Sequence, residues 1–293
     1  MRKVFIGTAG WSYKDWVGPF YVKNQSKHYD WLQHYAEFFN SVEVNSTFYG
    51  YARNETIKSW VDKVSHKDNF IFEIKLNQDF THLRNFNGSN VRAVRENLDI
   101  LKNSGRLGSL LLQFPYSFHM DQNNTTYISK LAELFTGYKK VVEVRHNSWN
   151  SEKAVKLFND HELTFCSIDQ PAIGKSLKFN VTISDRRAYL RLHGRNRDEW
   201  FKNINNFKAK QTFDEKNARY DYKYTLGELN EIKLMIEEHF NEIDEIHIIF
   251  NNHPGGKAVI NALELNALLD KEIYASLKRE LNLFPELHKV AVN

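Results

Sequence analysis

Eight short runs of β-branched and aliphatic residues punctuate the chain, and in most of them a polar or charged residue returns at every second position. They are "KVFIG" from residue 3, "SVEVNS" from 41, "FIFEIK" from 70, "SLLLQF" from 109, "VVEVRH" from 141, "TFCSID" from 164, "AYLRLHG" from 188 and "EIHIIFNN" from 245. Between most of them apolar residues recur with helical spacing, as in "HYDWLQHYAEFF", "NETIKSWVDKV", "NVRAVRENLDILKNS", "TTYISKLAELF", "EKAVKLFND" and "LGELNEIKLMIEEHF". Strands alternating with helices predict parallel βαβ units, and eight such units predict a closed α/β fold, a TIM-like (β/α)8 barrel. Barrels run to about 250 residues or more as one domain. No Ser/Gly-rich or Pro-rich linker divides this chain, so residues 1–293 are expected to form a single domain. Two connections break the rhythm: residues 170–187, after strand six, lack a clear helix, and the stretch from Arg195 to Tyr224, after strand seven, is long, polar and aromatic. A long loop leaving a barrel strand lies on the face where barrel active sites are built. Residues 271–293, with "KEIYASLKREL", read as a C-terminal helical extension.

Side chains alternate between the two faces of a strand. On this period Glu43 and Asn45, Glu73 and Lys75, Gln113, Glu143 and Arg145, Arg191 and His193, and His247 and Asn251 share one face of their strands, and the opposite face is apolar. The outer face of a barrel strand packs beneath helices and must be apolar, so the polar face points inward. Order along each strand then separates two layers. Asn45, Lys75, Gln113, Arg145, His193 and Asn251, with Asp169 just beyond strand six, are expected at the C-terminal mouth; Glu43, Glu73, Glu143 and Arg191 are expected one layer deeper. Any one pair, such as Glu143 with Arg145, is equally accounted for by a structural ion network, because buried charges are normally paired. A barrel interior is ordinarily filled by branched aliphatic side chains, however. Polar groups converging from at least six strands exceed what packing requires and point to a site.

Composition narrows the classes. With 42% hydrophobic and 26% charged residues the chain can bury a sizeable core. A net charge of +4 and a pI near 8.8 suit an anionic ligand but are too small for a surface that coats nucleic acid. The single cysteine, Cys166, excludes an intrachain disulfide and a cysteine-based zinc site, and its place within a strand marks it as packing. The chain runs from "MRK" directly into a strand, with no apolar stretch of signal-peptide or membrane-spanning length, so a cytoplasmic protein with no membrane partner is expected.

Several groups are candidates for chemistry. Gly7 and Gly10 in "GTAGWSY" stand where a backbone phosphate cradle could lie, although a tight turn needing glycine explains them more simply. Trp11, Tyr13 and Trp16 follow them, with Phe48 and Tyr49 after strand two and Trp149 after strand five; such rim aromatics can stack a sugar or base, although each alone is explained more simply as loop packing. His82, His146 and His193 are candidate proton-transfer groups, since histidine titrates near neutrality. His193 is preferred because it shares the inward face with Arg191, whereas alternation turns His146 away. Glu43, Glu143, Asp169 and His193 could ligate a divalent metal, but cations alternate with the glutamates and no HxH or HExxH spacing occurs, so no cofactor is expected.

In order along the chain, "IGTAGWSYKDWVGPFY" (6–21), "VEVNSTFYG" (42–50), "FEIKLNQDFTH" (72–82), "LLLQFPYSF" (110–118), "VEVRHNSW" (142–149), "YLRLHGR" (189–195), "RYDYKYT" (219–225) and "FNN" (250–252) resemble the motifs of the YecE-like proteins grouped as domain of unknown function 72. The resemblance spans nearly the whole chain. Ala9 departs from it where a serine is common, as does "GYAR" where a proline-containing turn is usual. It implies a TIM-like barrel and no assigned activity; analogy of that barrel with endonuclease IV implies a metal-dependent, nucleic-acid-directed hydrolase on fold alone.

The reading that joins these observations is an enzyme whose barrel mouth takes an anionic, phosphate-containing ligand: a sugar phosphate, nucleotide or nucleic acid. Lys75, Arg145 and Arg191 would hold the anion, with Asn45, Gln113, Asn251, His82, Trp11 and Tyr13 around it. Glu143, Asp169 or Glu43 would orient or deprotonate, and His193 would act as general acid/base. A non-catalytic nucleic-acid or metabolite binding module is the competing reading from another class.

Overall fold

The computed structural model describes residues 2–200 and 217–269. Eight parallel strands close on themselves: β1 (Lys3–Ala9), β2 (Ser41–Val44), β3 (Ile71–Lys75), β4 (Leu107–Gln113), β5 (Lys140–Glu143), β6 (Leu163–Asp169), β8 (Arg187–Leu192) and β9 (Glu245–Phe250), each paired with its neighbour, with β9 on β1 and β6 on β8. The barrel expected from the alternation is therefore present. Helices α1 (Trp31–Phe38), α3 (Asn54–Lys63), α5 (Gly88–Asn103), α6 (Gln122–Leu134), α7 (Glu152–Asp160), α8 (Leu226–Glu237) and α9 (Lys257–Leu269) connect or follow the strands. Two single-turn helices, α2 (Ser46–Tyr49) and α4 (Gln78–Thr81), follow β2 and β3 directly and form part of the rim.

The helices begin where polar side chains satisfy their first N–H groups. Asp30 caps α1, Asp121 caps α6 and Ser151 caps α7, while Asn87 and Thr225 form reciprocal capping boxes on α5 and α8. Helix α9 was not signalled by amphipathic spacing because it is apolar nearly all round; its Ala258, Val259, Ala262, Leu263 and Leu265 are buried. Buried Asn261 ties it to the loop before α8 by accepting from Tyr224 N–H (3.0 Å) and donating to Tyr224 C=O (2.9 Å). The connection after β6 holds no described helix. It ends instead in β7 (Ile183–Ser184), a two-residue strand antiparallel to β8 through a turn in which Asp185 and Arg186 both have positive φ, as the two-residue hairpin turn requires. The expected extension over 271–293 lies outside the described residues, as do residues 201–216 of the long connection after β8.

Strand alternation divides the apolar residues into two separate clusters. Outward-facing Val42, Val44, Phe72, Ile74, Leu110, Leu112, Val142 and Leu190 join the helix-facing shell. Inward-facing Ala9, Leu111, Val141, Cys166, Ile168, Tyr189 and Ile249 form a smaller plug inside the barrel. The plug separates two polar layers, one at each end of the barrel.

Close approach of β1 and β2 fixes one glycine. A Cβ on Gly7 would lie 1.8 Å from the Ser41 carbonyl oxygen. Beside it, the Tyr35 hydroxyl accepts from Thr8 N–H (2.8 Å) and donates to Ser41 C=O (2.9 Å). Gly10 turns the chain just past β1 with φ +89°. The steric reading of both glycines is therefore the one the backbone shows.

Candidate functional site

At the upper end of the barrel the charges are joined into one chain. Arg191 grips Glu43 with two bonds, Nε to Oε2 (2.9 Å) and Nη2 to Oε1 (2.7 Å), and donates through Nη1 to Glu143 Oε2. Glu143 Oε1 accepts from Arg145 Nε (2.9 Å) and Nη2 (2.7 Å). Burial alone would raise the Glu143 carboxyl, but the Arg191 and Arg145 charges hold it well below its usual range. Both carboxylates are fully enclosed, and Arg191 is 1% exposed with its fork occupied on both sides. Arg191 was expected to grip a ligand; the fold instead spends it on Glu43 and Glu143, leaving it no open face. Arg145 keeps its outer surface toward the rim, 5.7 Å from the ring centre of Trp200.

Two guanidinium groups and two carboxylates balance, and Lys75 is left over. Its ammonium nitrogen sits 4.3 Å above the Phe48 ring, and among the described residues it has no hydrogen bond or ion pair. Burial, reinforced by the positive charge of Arg191, pushes it down from the ordinary lysine value to about 7. The end of β3 is held rigidly: Thr47 donates to the Lys75 carbonyl (2.7 Å) and Asn77 donates to the Thr47 carbonyl (3.0 Å), stitching α2 to the loop after β3.

His193 lies just past β8 and is completely buried. Asn251 donates from Nδ2 to its Nδ1 (2.8 Å), which puts the ring proton on Nε2. That Nε2 stands 3.8 Å from Glu143 Oε1, too far for a hydrogen bond, and among the described residues it has no other partner. Burial pushes the imidazole down to about 3, against the pull of Glu143 and with the push of Arg191, so near neutrality it is an uncharged N–H donor. Asn251 is thereby committed to orienting His193 rather than to facing open space. Gln113 is nearly buried and donates to its neighbour Phe114 C=O (2.7 Å).

The rim carries the remaining candidates. His82 is exposed at the end of α4, with Nδ1 2.9 Å from Thr81 Oγ1 and its ring edge-on to Phe48. Crowding against its neighbours and the Lys75 and Arg145 charges push it down to about 4. Tyr13 donates to Ala9 C=O (2.6 Å) and stacks on His253 with ring centres 4.6 Å apart; burial, then Glu43, raises its phenol. Among the described residues the Asn45 Oδ1 is buried without a hydrogen-bond partner. Trp11 packs edge-on against Trp60 (5.5 Å), part of the shell rather than the mouth.

Two expected members do not converge with the rest. Asp169 follows inward Ile168 on β6 and so turns out of the barrel, where it accepts from Arg195 Nε (2.9 Å), which also reaches Glu228 of α8 (3.2 Å). Burial raises its carboxyl despite Arg195. Glu73, although the register partner of Glu43, points to the opposite polar layer. There it bonds His247 Nδ1 (2.6 Å), and His247 Nε2 reaches Glu245 (2.7 Å), which in turn accepts from Arg187 (2.7 Å). Gly108 makes room for it: a Cβ there would lie 2.2 Å from Glu73 Oε1.

Three rim residues carried no individual sequence signal. Trp200, Arg219 and Tyr220 lie in the irregular connection after β8; Arg219 sits 5.3 Å from the Trp200 ring centre and 4.7 Å from that of Tyr220, whose ring is 5.8 Å from His193. Burial should raise the Tyr220 phenol, yet Arg219, Arg145 and Arg191 draw it below its ordinary value. The repeated tyrosines of "RYDYKYT" were the only available cue. Among the described residues no three His, Cys, Asp or Glu side chains converge as a metal site would require. Of the four candidate ligands, Glu43 and Glu143 share Arg191, Asp169 bonds Arg195 and His193 bonds Asn251. No described helix is long and apolar enough to cross a membrane.

The family described as "Protein of unknown function DUF72" matches residues 5–282. A Bacillus subtilis protein named UPF0759 protein YunF is 27% identical over 293 residues, covering 96% of this chain and all of its own length. A solved structure of a Thermotoga maritima DUF72 family protein superposes with a TM-score of 0.76 at 28% identity, covering 91% of this chain and 99% of that one. One from Enterococcus faecalis, at 23% identity and a TM-score of 0.75, shares the fold over 91% of this chain and 95% of its own.

Proposed function

Since the chain belongs to the DUF72 family, whose description assigns no activity, function must be argued from the site, and we propose that this protein is an enzyme acting on an anionic, phosphate-containing ligand at the barrel mouth. The observation that carries this reading is the sign of the field there. Arg145 and Arg219 lie against the Trp200 ring, Arg219 also against Tyr220 and Lys75 over Phe48, and the arginines draw the Tyr220 phenol below its ordinary value. A positive, partly desolvated opening attracts and holds an anion.

Arg145 is the gripping group, since Glu143 fixes its orientation from below while its outer surface faces the rim. Phe48, Trp200 and Tyr220 offer flat surfaces against which the uncharged part of the ligand would rest. Lys75 and Tyr220, both shifted toward neutrality, are the groups suited to proton transfer; neutral His193 would donate a hydrogen bond from Nε2.

The test is a thermal-shift series on EDTA-treated protein with inorganic phosphate, sugar phosphates, nucleotides and short oligonucleotides, because a ligand that binds only the folded state raises Tm. A phosphorylated compound is expected to raise Tm in wild type and to lose that effect in Arg145→Gln. Equal shifts in both proteins would refute the anion site. A shift confined to divalent metal would favour the hydrolase alternative. Binding of oligonucleotides with steep salt dependence, together with absence of turnover, would favour the binding module.

A further inference from the structure

Among the described residues, Lys75 is set apart from the two inward-facing arginines of the upper layer, Arg145 and Arg191. Each arginine there is tied to a carboxylate: Arg191 to Glu43 and Glu143, and Arg145 to Glu143. Every oxygen of Glu43 and Glu143 already accepts from an arginine, and among the described residues Lys75 bonds none of them. Its nitrogen instead rests over the face of Phe48, on a strand end locked by Thr47 and Asn77. A cation placed only to attract anions would be expected to keep its charge, and placing a compensating carboxylate beside it would do so. This barrel contains two carboxylates at the right height and gives both to guanidinium groups. The arrangement removes the counter-ion while keeping the amine within reach of the rim, where His82 and Tyr49 are exposed.

We propose that Lys75 is a carbonyl-condensing amine, and that the substrate class is an aldehyde or ketone carrying an anionic group. The proposal rests on the anion-binding reading of the same mouth for the second half of that description only. The nitrogen lone pair of Lys75 attacks the carbonyl carbon, the C=O π pair moves to oxygen, and a proton passes from nitrogen to that oxygen to give a carbinolamine. The hydroxyl then leaves with a proton from solvent as water, and the C=N bond forms with one hydrogen retained on nitrogen. One amine, one carbonyl and one proton thus give one iminium and one water, with no oxidant or reductant. The iminium draws electrons from the adjoining carbon, so the reaction class is proton removal or carbon–carbon cleavage next to a carbonyl. With its nitrogen held near 7, Lys75 keeps a fraction of free amine about a thousand-fold larger at neutral pH than an ordinary lysine does. Arg145 and the aromatic walls would hold the anionic and flat parts of the substrate while Phe48 keeps water from the imine.

The experiment treats the full-length protein at pH 7 with pyridoxal 5′-phosphate, a flat anionic aldehyde, reduces with borohydride and maps the adduct by peptide mass spectrometry. Lys75 is expected to carry about ten-fold or more adduct than any other lysine, given its excess of free amine. Adduct spread over surface lysines without preference for Lys75 would overturn the proposal, and wild type alone decides this, whether or not Lys75→Arg folds. Two companion probes separate the claims. Pyridoxine 5′-phosphate keeps the phosphate but lacks the aldehyde; if it raises Tm while Lys75 remains unlabelled by the aldehyde, the anion site stands and the amine proposal falls. Pyridoxal lacks the phosphate; if it labels Lys75 as fully as the phosphorylated aldehyde and pyridoxine 5′-phosphate gives no protection, the amine proposal stands and the anion reading falls.

Discussion

Arg191 shows how much of this barrel depends on single residues. It is enclosed with two carboxylates, and removing one partner of a buried ionic group strands the others without water or counter-charge. Arg191→Met is expected to destabilise the protein by about 3–5 kcal/mol in urea unfolding. A loss below about 1 kcal/mol would mean that Glu43 and Glu143 find water or protons instead. Lys75 predicts the opposite sign. Its folded value of about 7 lies below the ordinary lysine value, so the unfolded chain binds the proton more readily between those two values, and stability is penalised most at pH 7 and below. Lys75→Met should therefore raise Tm, most strongly near pH 6, with the gain fading as pH climbs toward 10. A gain independent of pH would assign the effect to apolar packing alone.

Among the elements, β1 and β3 are positioned by the absence of side chains on or beside them. Gly7 permits β1 to pass the Ser41 carbonyl, and Gly108 on β4 leaves the space that Glu73 of β3 fills. Gly7→Ala must displace backbone rather than a flexible side chain, so it should cost at least the roughly 1–3 kcal/mol of an overpacked core, read as a drop in urea midpoint at unchanged slope. Gly108→Ala should cost a comparable amount, because the Glu73 carboxylate it displaces is anchored to His247. Full tolerance of either alanine would contradict the strand spacing described above. The short helices α2 and α4 matter for another reason: by following β2 and β3 closely they bring Phe48 over Lys75 and His82 edge-on to Phe48.

Across the whole molecule the two polar layers respond to pH with opposite sign. Burial would lower His247 at the lower end, but Glu73 and Glu245 hold it above its ordinary value, so its contribution is complete below that ordinary value and is lost as pH rises through the folded one. The penalty at Lys75 instead declines as pH rises above about 7. In a Lys75→Met background the alkaline fall in Tm should therefore be steeper than in wild type, and it should flatten when His247→Gln is added. An unchanged alkaline slope in the double variant would remove His247 from the account.

How much of this was legible beforehand follows from period and from distance. The two-residue alternation was sufficient to find the barrel, the inward placement of Glu43, Glu73, Lys75, Glu143, Arg145 and Arg191, and the apolar outer face, because which face a side chain takes is local to its strand. The irregular connections after β6 and β8 were also visible, as breaks in helical spacing. Helix α9 was missed because an all-round apolar helix has no polar face to mark its period. Pairing was beyond reach. Glu43 and Glu73 look equivalent along the chain, yet one meets Arg191 across 148 positions and the other meets His247 across 174. Asp169 was misplaced for a local reason, since β6 runs through it and alternation after inward Ile168 turns it outward, whereas for His193 it is tertiary burial that turns a residue chosen for titration into a neutral donor. The sequence by itself determined which side chains would face the barrel axis; only the tertiary structure decided which charges would cancel there, because that depends on strand tilt and side-chain reach. From that cancellation Lys75, among the described residues, is left in the upper layer without a counter-ion.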